Sequence, residues 1–387
     1  MTLQQRVEAL EPYLIELRRH FHQYPEPSLK EYETSKFIQE VLDKHNIPYE
    51  TVDETGVLAI VKGEKGNGKT ILLRADIDAL EIEEKTGAVY ASKREGLSHA
   101  CGHDAHTTMG LGTAIVLNEL KQTFSGTVKI AFQPAEEIGA GAKQFIKHGK
   151  VADVEEAFAI HVNSGLPVGQ LNVRGGAVNA SCDIFKIRIT GRSSHVGLPQ
   201  LGRDALVTGS EVVVALQTIV AREVAPTDNA VVGIGKFHSG SRYNIVANEA
   251  ILEGTIRAFS HETRAHLQEA VTRIVKGIAT THRCDVEIDW YDAAAPVIND
   301  EQMAQCAAEV GQRVEGIERV VVDYGKSMGA DDFADYLVHV PGVYALLGSQ
   351  SDERTAYGHH HEKFDIDERV LRLGVLYEVS YLLDRLS

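Results

Sequence analysis

Residues 70–78 read Thr70-Ile71-Leu72-Leu73-Arg74-Ala75-Asp76-Ile77-Asp78, a short apolar run that ends in two carboxylates. A run of this length and texture predicts a buried strand. Similar runs lie at Val57-Leu58-Ala59-Ile60-Val61, Thr127-Val128-Lys129-Ile130-Ala131-Phe132 and Ala157-Phe158-Ala159-Ile160. Stretches at helical spacing separate them, about Thr107 to Lys121 before the third run and Gly141 to His148 before the last. Strands alternating with helices predict an α/β fold whose central sheet is mostly parallel and flanked by helices. In such sheets ligands bind beyond the carboxyl ends of the strands. Acidic and histidine residues follow one strand after another there: Asp76 and Asp78, then Glu136 and Glu137, then His161.

The helix before the Thr127 run is preceded by Ser98-His99-Ala100-Cys101-Gly102-His103-Asp104-Ala105-His106, where six of nine residues can bind a metal or move a proton. Cys101 and His103 can reach one cation or share a pair, and Gly102 lets the backbone turn so that they converge. Thiolate and imidazole suit zinc, and with carboxylates in the shell they also suit manganese, cobalt or nickel. A lone Cys-x-His carries little weight because short motifs recur by chance. Four potential ligands packed this densely carry more. Glu136 and Glu137 do not share a face, so one can bind metal while the other acts on water as general base. Like charges so close are costly without cations beside them. Cys101, His103, Glu137, His161 and His360 then make up a shell for two metal ions with one ligand bridging. Such a pair would polarise a carbonyl and lower the pKa of water towards neutrality.

Lys and Arg number 39 against 55 Asp and Glu, a formal charge of -16, which argues against nucleic acid or an anionic membrane as partner. No stretch approaches the roughly 20 apolar residues of a bilayer span. The N-terminus lacks the pattern of a signal peptide, and the four cysteines are too sparse for a disulfide scaffold, so a cytoplasmic location is expected. Residues 3–23 have helical spacing up to Pro25, and a second helix is expected from Tyr32 to His45. His20 and His22, at the end of the first, are expected to cap or face solvent.

From about residue 180 the texture changes. Asp183–Ile189 alternates apolar and polar, as do Val231–Phe237, Glu249–Ala258 and Val286–Trp290, with helices expected over about 204–223 and 261–282. This order predicts a small α+β module of the strand-helix-strand-strand-helix-strand kind. The expected organisation is a discontinuous catalytic domain, residues 1–179 and 293–387, with residues 180–292 inserted as a second domain.

End to end, the chain resembles the aminoacylase/hippurate-hydrolase family of dinuclear metallo-amidohydrolases. The resemblance rests on Arg18-Arg19 with Pro25-Glu26, Leu73–Leu80, His99–His106, Gln133–Glu137, Ile160-His161, Ser194-His195 with Gly202-Arg203-Asp204, Asn244-Ile245-Val246, Gly254–Arg257 and His360–Phe364. It implies that Cys101 bridges two metals and that His103, Glu137, His161 and His360 complete the shell, with Glu136 as general base. His360 is preferred to His359 and His361 because it stands four residues before Phe364, as in the family pattern. The resemblance also implies a ferredoxin-like lid and dimerisation module whose His195 stabilises an oxyanion in the other subunit of a homodimer or higher oligomer. Asn244 and Arg257 would hold a small-molecule substrate. Ser98, often Met in the family, and Glu362, often Pro, depart from the pattern. The implied activity is hydrolysis of N-acyl amino acids by two divalent ions per subunit, manganese, zinc, nickel or cobalt. N-acetyl-diaminopimelate deacetylation, dipeptide or carboxypeptidase-type cleavage, and a silent binding protein on the same fold are the alternatives.

Overall fold

The structure is a computed structural model that describes residues 1–386. The chain divides into two compact units, one comprising Met1–Val178, Ile298–Gly325 and the chain from Asp332 onward, the other Asn179–Val297 with Lys326–Asp331. Asn179 and residues 293–297 and 326–331 thus group with the second unit.

The first unit opens with α1 (Leu3–Gln23), α2 (Tyr32–Lys44), β1 (Tyr49–Val52), β2 (Gly56–Lys62), β3 (Thr70–Asp76) and α3 (His103–Glu119). β4 (Thr127–Gln133), α4 (Gly141–Lys147), β5 (Glu156–Pro167), β6 (Gln170–Asn172) and β7 (Gly176–Asn179) follow. The second unit carries β8 (Cys182–Thr190), α5 (Ala205–Arg222), β9 (Ala230–Ser239), β10 (Glu249–Ala258), α6 (His261–Thr281) and β11 (Asp285–Ala294). The chain then passes through β12 (Val297–Asn299), α7 (Glu301–Gly311), β13 (Arg319–Val321), α8 (Phe333–Leu337), β14 (Gly342–Gln350) and α9 (Arg369–Arg385).

Among the described residues the first unit builds an eight-stranded sheet in the order β1-β2-β4-β3-β5-β14-β6-β13. Its centre, β4-β3-β5-β14, is parallel. β1, β2 and β4 pair antiparallel, and so do β14 and β6, so the sheet is mixed rather than uniformly parallel. Short connections such as β1 to β2 allow only hairpins, whereas parallel neighbours need a crossover. β3 is buried from Ile71 to Asp76, as a central strand covered on both faces should be. α3 is buried from His103 to Leu117, which explains why it shows no polar stripe. It packs with α1 and α9, and Leu14, Leu17, Ile115, Leu371 and Val375 share one core with Leu73, Ile130, Phe158 and Val343 of the sheet.

The second unit is a four-stranded antiparallel sheet in the order β11-β8-β10-β9 with α5 and α6 packed on it, the ferredoxin-like arrangement expected. Phe185, Ile187, Leu252 and Ile256 meet Val212, Leu216, Leu267 and Val271 in its core. Contrary to the expectation that no stretch approaches a bilayer span, α5, alone among the described residues, is long and apolar enough to cross a membrane by length and composition. Its buried face, Thr208, Val212, Leu216 and Ile219, is spent on this sheet.

Candidate metal centre

Parallel strands put their carboxyl ends on one edge, and the chemistry-bearing side chains collect there. Asp76 ends β3, Asp78 follows it, and β4 turns through Pro134 and Ala135 into Glu136 and Glu137. His161 lies within β5, opposite Leu346 of β14, and the loop after β14 supplies His360, whose N–H donates to Ala100 O at 2.7 Å. Cys101 and His103 flank Gly102, which precedes α3 with φ +89°. A Cβ there would come within 2.4 Å of Val162 Cγ2, so glycine is required between the two side chains.

The five residues proposed as ligands come together. Cys101 Sγ is 3.6 Å from His161 Nε2, and His360 Nε2 is 3.3 Å from Glu137 Oε1. His103 Nε2 stands 3.9 Å from both Glu136 Oε2 and Glu137 Oε1. Three overlapping sets result: Cys101, His103 and His161; Cys101, Glu137 and His360; His103, Glu136 and Glu137. Within each, the donor atoms all lie within 4.8 Å of one another.

These residues fit divalent cations. Among the described residues His103 Nε2 is buried without a hydrogen-bond partner, a state costing about 1–3 kcal/mol unless something else occupies the gap. His103 Nδ1 lies 2.9 Å from the Asp78 carbonyl and 3.2 Å from its Oδ1, which turns Nε2 towards Glu136 and Glu137. His161 Nδ1 lies 2.8 Å from Val162 O, so its Nε2 is the nitrogen turned towards Cys101 Sγ. Burial holds His161 well below the usual imidazole range, keeping it neutral as a ligand must be. Burial, then the Glu137 carboxylate, pushes the Cys101 thiol well up, an effect a divalent ion would reverse. Burial opposes the His103 imidazolium too, yet Asp76, Cys101 and Asp78 outweigh it and raise His103 well above the usual range. So much negative charge around one ring is a setting for a cation.

Two carboxylates that the sequence placed at a strand end without a role prove to hold the others. Asp78 touches His103 through Oδ1, and its Oδ2 accepts from Ser28 Oγ at 2.7 Å and from the Glu137 N–H at 3.1 Å. Asp76 Oδ1 is 2.6 Å from His106 Nδ1, and His106 Nε2 accepts the Val162 N–H at 2.9 Å. Both nitrogens of His106 are therefore committed to positioning. Burial works against the Asp76 carboxylate, but Arg74 and then His103 hold it well below the usual range.

The histidine triplet separates by environment. His360 alone joins Cys101 and Glu137, whereas the His359 ring packs 5.0 Å from that of His161 and His361 stacks on Tyr357 at 4.6 Å. His20 is partly buried and stacks on Phe37. The capping or surface role expected for His22 does not hold. It is buried, with Nδ1 2.7 Å from Asp104 and Nε2 3.3 Å from Glu84, because Asp104 and Arg18 form a buried pair beside it. Of the two departures from the family pattern, Ser98 donates to Ile82 O, and Glu362 pairs with Lys85 at the surface.

The remaining three candidates lie in the second unit. His195 is exposed, with Nδ1 accepting the Gly197 N–H at 3.0 Å. Asn244 is next to it, its carbonyl accepting the Val196 N–H at 3.1 Å, and its buried side-chain oxygen has no hydrogen-bond partner among the described residues. Arg257, near the end of β10, reaches Met328 O at 3.3 Å.

The sequence pattern of Peptidase family M20/M25/M40 matches residues 72–383. The chain belongs to this family. It is 38% identical over 366 residues to an N-acetyl-L-cysteine deacetylase of Bacillus subtilis (strain 168), covering 94% of this chain and 86% of that protein. It is 34% identical over 394 residues to the IAA-amino acid hydrolase ILR1-like 4 of Arabidopsis thaliana, covering 99% and 89%. The Bacillus subtilis YXEP protein, described as a dinuclear metal binding peptidase from the M20 family, matches the structure with a TM-score of 0.84 at 35% identity over 98% of this chain and 99% of that one. The resemblance to metallo-amidohydrolases is thereby borne out, and the chain is an M20-family hydrolase.

Proposed function

We propose that this protein hydrolyses the amide bond of N-acyl amino acids, releasing a carboxylate and a free amino acid. The observation that carries the reading is Glu136 beside the proposed ligands, its Oε2 3.9 Å from His103 Nε2 while Glu137 Oε1 faces His360. Cys101, His103, Glu137, His161 and His360 would hold the metal ions. Two divalent ions held there would polarise the amide carbonyl and lower the pKa of water. Glu136 takes the proton of the attacking water and returns it to the leaving nitrogen. His195, supplied by the other copy in a dimer, donates to the developing oxyanion. Asn244 and Arg257 hold the substrate, Arg257 gripping its carboxylate through a forked contact. The names of the relatives, a deacetylase of N-acetyl-L-cysteine and a hydrolase of an acylated amino acid, support this substrate class. A reducing cytoplasm would keep Cys101, a free cysteine, available as a ligand.

The test is metal-reconstituted hydrolysis of N-acetyl amino acids, hippurate, N-acetyl-diaminopimelate and dipeptides, run beside Glu136→Gln. Turnover should vanish on chelation and fall at least about a hundredfold in the variant, within the range for a lost general base. Bound metal with no cleavage of any substrate would point to a binding protein instead. A monomer that is fully active would remove the role given to His195.

A further inference from the structure

The segment 25–31, between α1 and α2, runs along the carboxyl ends of β3 and β4. Glu26 O accepts the Ala79 N–H at 2.8 Å, Pro27 bridges to Ala79, and Ser28 Oγ donates to Asp78 at 2.7 Å. Glu31 precedes α2, yet its side chain makes no capping bond to that helix. Its Oε1 instead accepts the backbone N–H of Ala135, 104 residues away, at 2.9 Å, and the residue is fully buried. Burying a carboxylate to hold a distant peptide group is costly, so the contact has to repay that cost.

Ala135 is the residue before Glu136, and its φ is +57°. Left-handed backbone is unfavourable for a residue with a Cβ and persists where its surroundings impose it. On the other side of Glu136, the Glu137 N–H donates to Asp78 Oδ2 at 3.1 Å. Glu136 is thus bracketed by two peptide N–H groups, each anchored on a buried carboxylate from another part of the chain. Asp78 also holds the His103 ring, whereas Glu31 reaches the turn through the Ala135 peptide.

We propose that Glu31 is a positioning residue for hydrolysis: its hydrogen bond holds the Ala135 peptide in the left-handed turn and so aims the Glu136 carboxylate. This rests on Glu136 being the general base. A misplacement of a reacting group by about 1 Å can cost about a hundredfold in rate.

The experiment compares Glu31→Asp and Glu31→Gln with wild type on an N-acyl amino acid that wild type cleaves. Glu136→Gln runs alongside, and bound metal and thermal midpoint are measured for each protein. Aspartate keeps the charge but is one methylene too short for Ala135, whereas glutamine keeps an acceptor oxygen at full reach. The expected result is a kcat about tenfold to a hundredfold lower in Glu31→Asp, with KM within about twofold and metal content unchanged, and a kcat within about threefold of wild type in Glu31→Gln. The reverse order would show that charge rather than the hydrogen bond matters, and would overturn the proposal. Two active variants would overturn it as well, as would loss of metal or of the folded state in both. An inactive Glu136→Gln beside unaffected Glu31 variants would sink the role of Glu31 alone. An active Glu136→Gln, or no cleavage by wild type, would sink the base assignment and this proposal with it.

Discussion

Glu378, on α9, is buried in the core of the first unit, and the hydroxyl of Thr113 on α3 donates to its Oε2 at 2.6 Å. Burial pushes its carboxyl from the ordinary 4.5 up to about 8, the Thr113 hydrogen bond only partly opposing this. The folded chain therefore holds this proton more tightly than the unfolded chain does. Stability from this site is greatest below pH 4.5, declines as pH rises from 4.5 to about 8, and levels off above that. The full difference corresponds to about 5 kcal/mol, and about 3 kcal/mol of it is already lost at pH 7. Glu378→Gln keeps the shape and an acceptor for Thr113 but has no charge to bury. Its thermal midpoint should equal that of wild type near pH 4.5 and exceed it by roughly 6 °C at pH 7, with a wider gap at pH 9, taking about 2 °C per kcal/mol. Melting curves of both proteins at these three pH values read this directly. A gap that does not change with pH, or a less stable variant at pH 9, would refute the reasoning.

Asp78→Ala removes the 3.2 Å side-chain contact to His103 Nδ1 and the anchor of the Glu137 N–H, while the Asp78 carbonyl at 2.9 Å still holds the ring, so metal affinity should fall about tenfold. Metal titration of the apoprotein checks this, and an unchanged affinity would mean that Asp78 does not hold the ligands. Arg18→Met strands Asp104, with which Arg18 makes a fully buried pair at 2.8 Å, and should cost about 3–5 kcal/mol of stability. Denaturation near neutral pH measures it, and a loss under about 1 kcal/mol would show that His22 compensates.

Much of the architecture was legible because it is local. Short apolar runs ending in Asp76, Glu136 and His161 reported central strands and the edge where ligands gather. The alternation in β8 and β10 reported a sheet covered on one face. The sequence also supplied the proposed donors, since cysteine, histidine and glutamate bring their chemistry with them. Pairing across the chain was not legible. His22 looked like a surface residue because its partners, Asp104 and Glu84, stand 82 and 62 positions away. Glu31 attracted no expectation, Asp78 had no partner in view, and nothing near His106 in sequence reported which groups its two nitrogens would meet. Only folding put Val162 and Asp76 against the two nitrogens of His106 while giving His103 Nε2 no hydrogen-bond partner among the described residues. The reason is physical. Hydrophobic period is a property of neighbours in sequence, whereas the cost of an unpaired buried charge or hydrogen-bonding group arises only once the whole chain has excluded water around it.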